Sequence, residues 1–271
     1  IDFSGGGNTL TLENGYSFNG NVVRGGGDTL ALGGDGGGGS FDVAQIGPAA
    51  QFRGFGAFAK SGTSTWTLSG NNAATNWSVN AGTLQVDGSV DNVVVSGGAL
   101  AGNGSVAAIT LGSGATIAPG SSPGTLTGAS LDWNGGGSFD FQLGSTPAAS
   151  DLLALSGALT KSGGSGFVFH FSDAGSAPQI GNTYTLITFA NASGFSAGDF
   201  SFGYSGTASN LGGHFVLNTT SLQFVTVAAA TWTVTGTGEP GSIDSMNCTA
   251  NSCPTLRDAI NSAASGDTIV F

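Results

Sequence analysis

Three stretches sixteen residues apart carry one pattern: SVNAGTLQVDGSV from Ser78, VVSGGALAGNGSV from Val94 and TLGSGATIAPGSS from Thr110. In each, an aliphatic residue (Val79, Val95, Leu111) stands three places before a glycine (Gly82, Gly98, Gly114). A Gly-Ser pair follows (Gly88 and Ser89, Gly104 and Ser105, Gly120 and Ser121). A fixed period of this kind marks one unit stacked on copies of itself, because a unit so short cannot bury an apolar face alone. Glycine punctuation cuts the units into short strands rather than helices. The pattern predicts a parallel β-solenoid, a coil of strands wound around a narrow apolar core.

Composition fits a coil with many corners. Glycine supplies 50 of the 271 residues and charged residues only 8%; glycine reaches positive φ at a tight corner without steric cost. The rest is mostly Val, Leu, Ile, Phe and Ala alternating with Thr, Ser and Asn, as in strands buried on one face and wet on the other. Five Lys and Arg stand against 16 Asp and Glu, a formal charge of -11, with no basic cluster. Phosphate neutralisation needs clustered cations, so no nucleic-acid partner is expected. The acidic residues are thinly spread and read as solubilising. No apolar run approaches the length of a membrane-spanning helix, so no membrane insertion is expected within this chain. Without an initiator Met, and with a strand-like opening at Ile1 and Phe3, the chain reads as an excerpt of something longer, any export signal lying outside it.

Along the chain, GGGNTLTL from Gly5 and GGGDTLAL from Gly25 form a longer, twenty-residue repeat with Leu10, Leu12, Leu30 and Leu32 facing inward. An aromatic stretch follows from Ser40, with a strand at Thr65 to Leu68. The sixteen-residue rungs occupy about Trp77 to Ser122. From Ser150 to Val227 no short period remains. Strands are predicted at Phe167 to Phe171, Tyr184 to Phe189, Phe200 to Tyr204 and Phe215 to Val227, read as a hairpin-bearing cap over the open end of the coil. Beyond Ala228 to Ala230 a new segment opens with TWTVTG. It holds one helix, from Pro254, with Leu256, Ile260 and Ala263 as its apolar stripe, Gly266 as its stop and a closing strand Thr268 to Phe271. The predicted organisation is a parallel β-helix over 1–145, a β-rich cap over 146–228 and the start of a second β-helix over 229–271.

Most chemical constellations fail on spacing. The Asp-bearing glycine stretch from Gly25 to Asp42 lacks the alternation of calcium-binding nonapeptides, because Asp28 follows Gly27 directly. His170 and His214 sit in aromatic strands with no activated serine in sight, and read as outward-facing or hydrogen-bonded strand residues. Asp132, Asp140 and Asp151 are the carboxylates a carbohydrate-active β-helix enzyme, a polysaccharide lyase or glycosidase, would need. Only Arg24, Arg53 and Lys60 could stabilise an anionic intermediate in that half of the chain. Trp66, Trp77, Trp133 and Trp232 occupy strand positions suited to core or corner packing rather than to stacking on sugars. Cys248 and Cys253, the two cysteines, read as a local disulfide formed in an oxidising compartment, the other reading being an incomplete zinc site. No catalytic, cofactor-binding or metal residue is assigned.

Four phrases in order, FAKSGTSTWTLSG from Phe58, VNAGTLQVDGSV from Val79, GATIAPGSSPGTL from Gly114 and DLLALSG from Asp151, with TYTLITF after them, resemble the passenger regions of bacterial autotransporters. These are outer-membrane-anchored surface proteins built as right-handed parallel β-helices. The cysteine pair, the Leu256 to Ile260 helix and Gly266 to Ile269 resemble a second pattern, found at the start of bacterial surface β-helices, in which the helix caps the first coil. The chain lacks the strands of a membrane-spanning barrel that end an autotransporter. The resemblance implies an exported, non-catalytic rod at the bacterial surface that spaces or adheres, with a receptor or glycan as partner and no cofactor. A repeating unit of a surface fibre, self-associating end to end through its rungs, is the closely related expectation.

Overall fold

The computed structural model describes residues 5–121, 123–236, 248, 251–263 and 267–271, the side chains of Arg24 and Asn261 apart. The expected opening at Ile1 and Phe3, the boundary at Ser122 and the helix stop at Gly266 lie outside these residues.

One rung shows the building rule. Thr83–Val86, Ser89–Val90 and Val93–Val95 are three short strands separated by corners, and the chain then starts again one level higher. Val79 lies beside Val95, and Val95 beside Leu111; Leu84 lies beside Leu100, and Leu100 beside Ile117. Every one of these pairings is parallel, and the inward member is buried at each level. Eight strands from Gly39–Asp42 to Phe200–Tyr204 make one sheet. The other two faces merge into a fifteen-stranded sheet, because a strand such as Ser105–Leu111 bends around the corner. Ser105 and Val106 pair with Ser89 and Val90, while Ile109 and Leu111 pair with Val93 and Val95. The fold is the predicted parallel β-helix.

The Leu10–Leu30 and Leu12–Leu32 ladders of the twenty-residue repeat also stand in register. The third copy of the sixteen-residue pattern departs from the first two. Ser105 pairs with Thr127, not with Ser121, so the register advances twenty-two residues here instead of sixteen.

Parallel stacking continues past residue 145. Phe139 pairs with Phe169, and Phe169 with Phe202, in the region the sequence pattern gives to a cap. Rung length explains why periodicity ends while the coil goes on. The register advances sixteen residues from Leu84 to Leu100 but thirty from Phe139 to Phe169, so no fixed period survives. Aromatic side chains fill the core of these rungs. Trp133, Phe139, Phe167, Phe169 and Phe200 interlock with ring centroids 4.7 to 6.4 Å apart. Each such ring withdrawn from water stabilises the fold by about 1.5–3 kcal/mol.

The strand expected over Phe215 to Val227 is two. Leu211–Leu217 and Ser221–Ala228 form an antiparallel hairpin, turned by Asn218, whose N–H bonds to the Ser221 carbonyl. The second of them pairs antiparallel with Thr183–Thr188, ending the parallel growth on that face. Phe215 and Phe224 close over Phe171 and Phe202.

In the final segment, Thr231–Val234 is flanked in parallel by Ser252–Cys253 and Thr268–Val270. The helix spans Leu256–Ser262 and is N-capped by Thr255, whose hydroxyl accepts from the Asp258 N–H. Pro254 therefore precedes the cap instead of sitting in the first turn. Asp258 and Ala259 face inward, while Leu256 and Ile260, the expected buried stripe, are exposed. Asp258 is drawn in by its second bond, from the Thr255 hydroxyl, and this turns the stripe out. No described helix is long and apolar enough to cross a membrane.

Candidate functional site

The carboxylates are spent at corners. Asp28 accepts the Asn8 N–H at 2.7 Å, Asp35 the Thr63 N–H at 3.0 Å and Asp42 the Ala44 N–H at 2.9 Å. Corners leave backbone donors without strand partners, and a short acidic side chain reaches them. The three residues of the glycine stretch thus bond three separate backbone N–H groups. Among the described residues no three His, Cys, Asp or Glu side chains gather as metal ligands would.

Asp140 and Asp151 line one small cavity of about 240 Å³ with Gln142 and Ser172, whereas Asp132 lies on the other sheet, beside Thr110, and accepts from the Ser162 hydroxyl. Asp151 is buried, and both its oxygens are occupied, accepting Gly124 N–H at 2.9 Å and Gln142 N–H at 2.7 Å. Burial pushes its carboxyl above the ordinary value, and the two N–H groups oppose that. Asp140 is over half exposed and meets the His170 Nδ1 at 3.0 Å, so the strand histidine is both outward-facing and hydrogen-bonded. His214 is exposed on the hairpin.

The cations are equally committed. Arg53 donates to the Ala50 and Ala49 carbonyls. Lys60 fills a core position between Leu32 and Val79 in the inward ladder, fully buried. Its Nζ donates to the Ser61, Gly62 and Ala81 carbonyls at 2.6, 2.9 and 3.2 Å. Burial lowers its pKa, partly offset by Asp35. Lys161, at the same ladder position further on, bonds Asp199 at 2.6 Å, which holds the Asp199 carboxyl below its ordinary value. A lone lysine among aliphatic ladder positions carries no sequence mark of its inward direction. An asparagine ladder was equally hidden: Asn92 donates to Asn76 at 2.9 Å and accepts from the Ala108 N–H, at the sixteen-residue spacing that could have revealed it.

Trp66, Trp77 and Trp133 are buried in the core. Trp232 donates to Asp267 at 2.8 Å. Cys248 and Cys253 form a disulfide, with Cys253 fully buried and the Ser262 hydroxyl against Cys248.

What remains open to a large ligand is the outside of the coil. The ladder Thr11, Ala31, Ala59, Ser78, Val94, Thr110, Asp132, Thr160, Ser193 runs up one face in register, with one charge among nine positions. Around the corner an axial groove of about 610 Å³ crosses successive rungs. Its floor is the Val90, Val106, Gly128, Leu155 ladder and its rim is Ser, Thr and Ala. No charged side chain lines it.

A family model described as the passenger-associated-transport-repeat matches residues 58–86. These residues run from the end of Phe52–Lys60 through Thr83–Val86, one turn of the coil and its return, with Phe58 stacked beside Trp77 and Leu68 beside Val86. None of the curated proteins compared with the chain matches it. The match supports a repeat of the autotransporter-passenger type in this part of the coil.

Proposed function

We propose that this chain is a non-catalytic rod displayed outside a bacterial cell, part of an autotransporter-like surface protein that spaces or adheres. The observation that carries the reading is the in-register parallel stack that contains the passenger-type repeat. Backbone hydrogen bonds along the stack give stiffness, and the carboxylates a hydrolase would need are divided: Asp132 lies on one sheet, Asp140 pairs with His170, and Asp151 is held by two N–H groups. The axial groove is the adhesive surface: uncharged, elongated and hydroxyl-rimmed, it suits an uncharged extended chain such as a glycan strand. The disulfide belongs to an oxidising exterior. The segment from residue 229 onward is the capped start of a second β-helix, its short helix closing the first coil.

A glycan and matrix binding array run on the purified chain, with a reducing-sugar release assay beside it, tests this. Retention without release is the expected outcome, and Ala129→Arg, on the exposed groove rim, should abolish retention while leaving circular dichroism unchanged. Release of sugar would replace this reading with a carbohydrate-active enzyme.

A further inference from the structure

We propose that the groove ends in a subsite for an N-acetylated sugar, held in a cleft beside Phe55; this deepens the adhesive reading and rests on it. The groove floor runs through Leu155, Gly128, Val106 and Val90, and the same ladder reaches Asn72 one rung lower. Four strand spacings make a path of about 19 Å, long enough for several linked sugar rings. Ala73 lines the groove, while its chain neighbours Asn72 and Ala74 line a second depression, a cleft of about 530 Å³. The two meet at Ala73, so an extended ligand can pass from one into the other.

A local irregularity shapes the cleft. Phe55 stands beside Asp28 and Ala57 beside Thr29, so Phe52–Lys60 uses two residues where its neighbour uses one. A bulge of this kind re-aims the side chains around it. Phe52 and Phe58 are buried, whereas Phe55 is half-buried, its ring 6.4 Å from that of Phe52. All three line the cleft together with Ile46. Gly54 and Gly56 flank Phe55 and are exposed, and a Cβ at Gly56 would meet nothing closer than 3.6 Å. Space is thus left beside the ring.

The polar groups of the cleft narrow the choice of ligand. Asn72 is spent, its Nδ2 donating to the Val43 and Ile46 carbonyls and its Oδ1 accepting the Ala74 N–H. The Thr75 hydroxyl donates to the Asn72 carbonyl. Asn76 accepts at Oδ1 from the Asn92 N–H and Nδ2, and its own Nδ2 has no acceptor among the described residues. No charged side chain lines the cleft. Apolar walls with one unspent amide donor match an acetamido group, whose methyl gains apolar contact and whose carbonyl accepts from Asn76 Nδ2. A hydroxyl in the same place would bring no apolar surface to the walls.

Isothermal titration of the chain with the β-linked tetramer of N-acetylglucosamine and with the matching glucose tetramer tests this, since the two differ at the acetamido group alone. The acetylated tetramer should bind about tenfold tighter, the discrimination that one apolar group in a fitted pocket supplies. Asn76→Asp keeps the oxygen that Asn92 bonds and removes the donor, and it should erase the preference with circular dichroism unchanged. Phe55→Ala should weaken the acetylated tetramer about tenfold as well; if that variant misfolds, Asn76→Asp decides alone. Equal affinity of the wild type for both tetramers, a preference that survives in folded Asn76→Asp, or no loss in folded Phe55→Ala would overturn the subsite. The groove would then still stand, with Ala129→Arg abolishing binding of either tetramer. Binding of neither tetramer by the wild type would overturn the subsite and the groove together.

Discussion

Asp151 ties together two parts of the chain that sequence separates, accepting the Gly124 N–H and the Gln142 N–H of the neighbouring strand. Asp151→Ala leaves both donors without their acceptor, and a chemical denaturation curve should show a loss on the order of 3 kcal/mol. Because burial raises the carboxyl's pKa, the folded state holds this proton more tightly than the unfolded one. The stability contributed is then full below the ordinary carboxylate range and lost as pH rises through the raised value. The gap between wild type and Asp151→Ala should narrow as pH rises through and above that range; a gap that widens would contradict the assignment. Tyr204 makes a parallel case at the other end of the scale. Its hydroxyl donates to Asp173 at 2.5 Å and accepts the Ala208 N–H at 2.7 Å. Burial, with Asp173 beside it, pushes its pKa up to about 12. Stability from this contact is full below the ordinary phenol value and lost as pH rises through about 12. Ultraviolet difference titration of wild type against Tyr204→Phe should show one phenolate forming near pH 12, and ionisation near the ordinary value would refute the contact.

Strands and corners divide the labour within each rung, and the glycines of the repeat show that equal positions are not equal in load. Gly82, Gly98 and Gly114 all have positive φ, at 65, 67 and 77°. A Cβ at Gly98 would lie 2.8 Å from the Ala81 carbonyl carbon and the Gly82 nitrogen, while one at Gly114 would meet nothing within 4 Å. Gly114→Ala should cost only the left-handed conformation, about 1–2 kcal/mol, and Gly98→Ala distinctly more, since the rung beneath must move. Equal thermal shifts for the two variants would argue against direct stacking.

The same contrast decides what was legible in the sequence. Where rung length is constant, the Val79, Val95, Leu111 ladder can be read off by counting. Once rungs take insertions, as between the stacked partners Ser105 and Thr127 or Phe139 and Phe169, counting fails although the strands still stack. For that reason the coil beyond residue 145 and the thirty-residue Asp140–His170 pairing left no trace. Asp151 could be nominated as a carboxylate, but its role in joining Gly124 to Gln142 depends on a rung whose length has no period. The expected hairpin strand was split because Asn218 to Thr220 is a turn without glycine or proline. Lys60 was invisible as a core residue because its charge is met by backbone carbonyls, which sequence patterning does not display.

At the scale of the whole molecule these pieces make a stack of eight strands in the shorter sheet, about 34 Å from first to last at the usual strand spacing. Because each rung of such a stack pairs with its neighbours, stability accumulates rung by rung. Direct superposition of successive rungs is the claim on which the rod and the groove both depend. Cysteines placed in pairs at the outward positions Ser78, Val94 and Thr110, probed with the shortest bifunctional thiol reagent, measure it. Ser78 with Val94 and Val94 with Thr110 should cross-link rapidly, being adjacent in register, and Ser78 with Thr110, one rung removed, should not. Failure of the two adjacent pairs, or linkage of Ser78 to Thr110 as fast as either, would show that the rungs do not lie on one another.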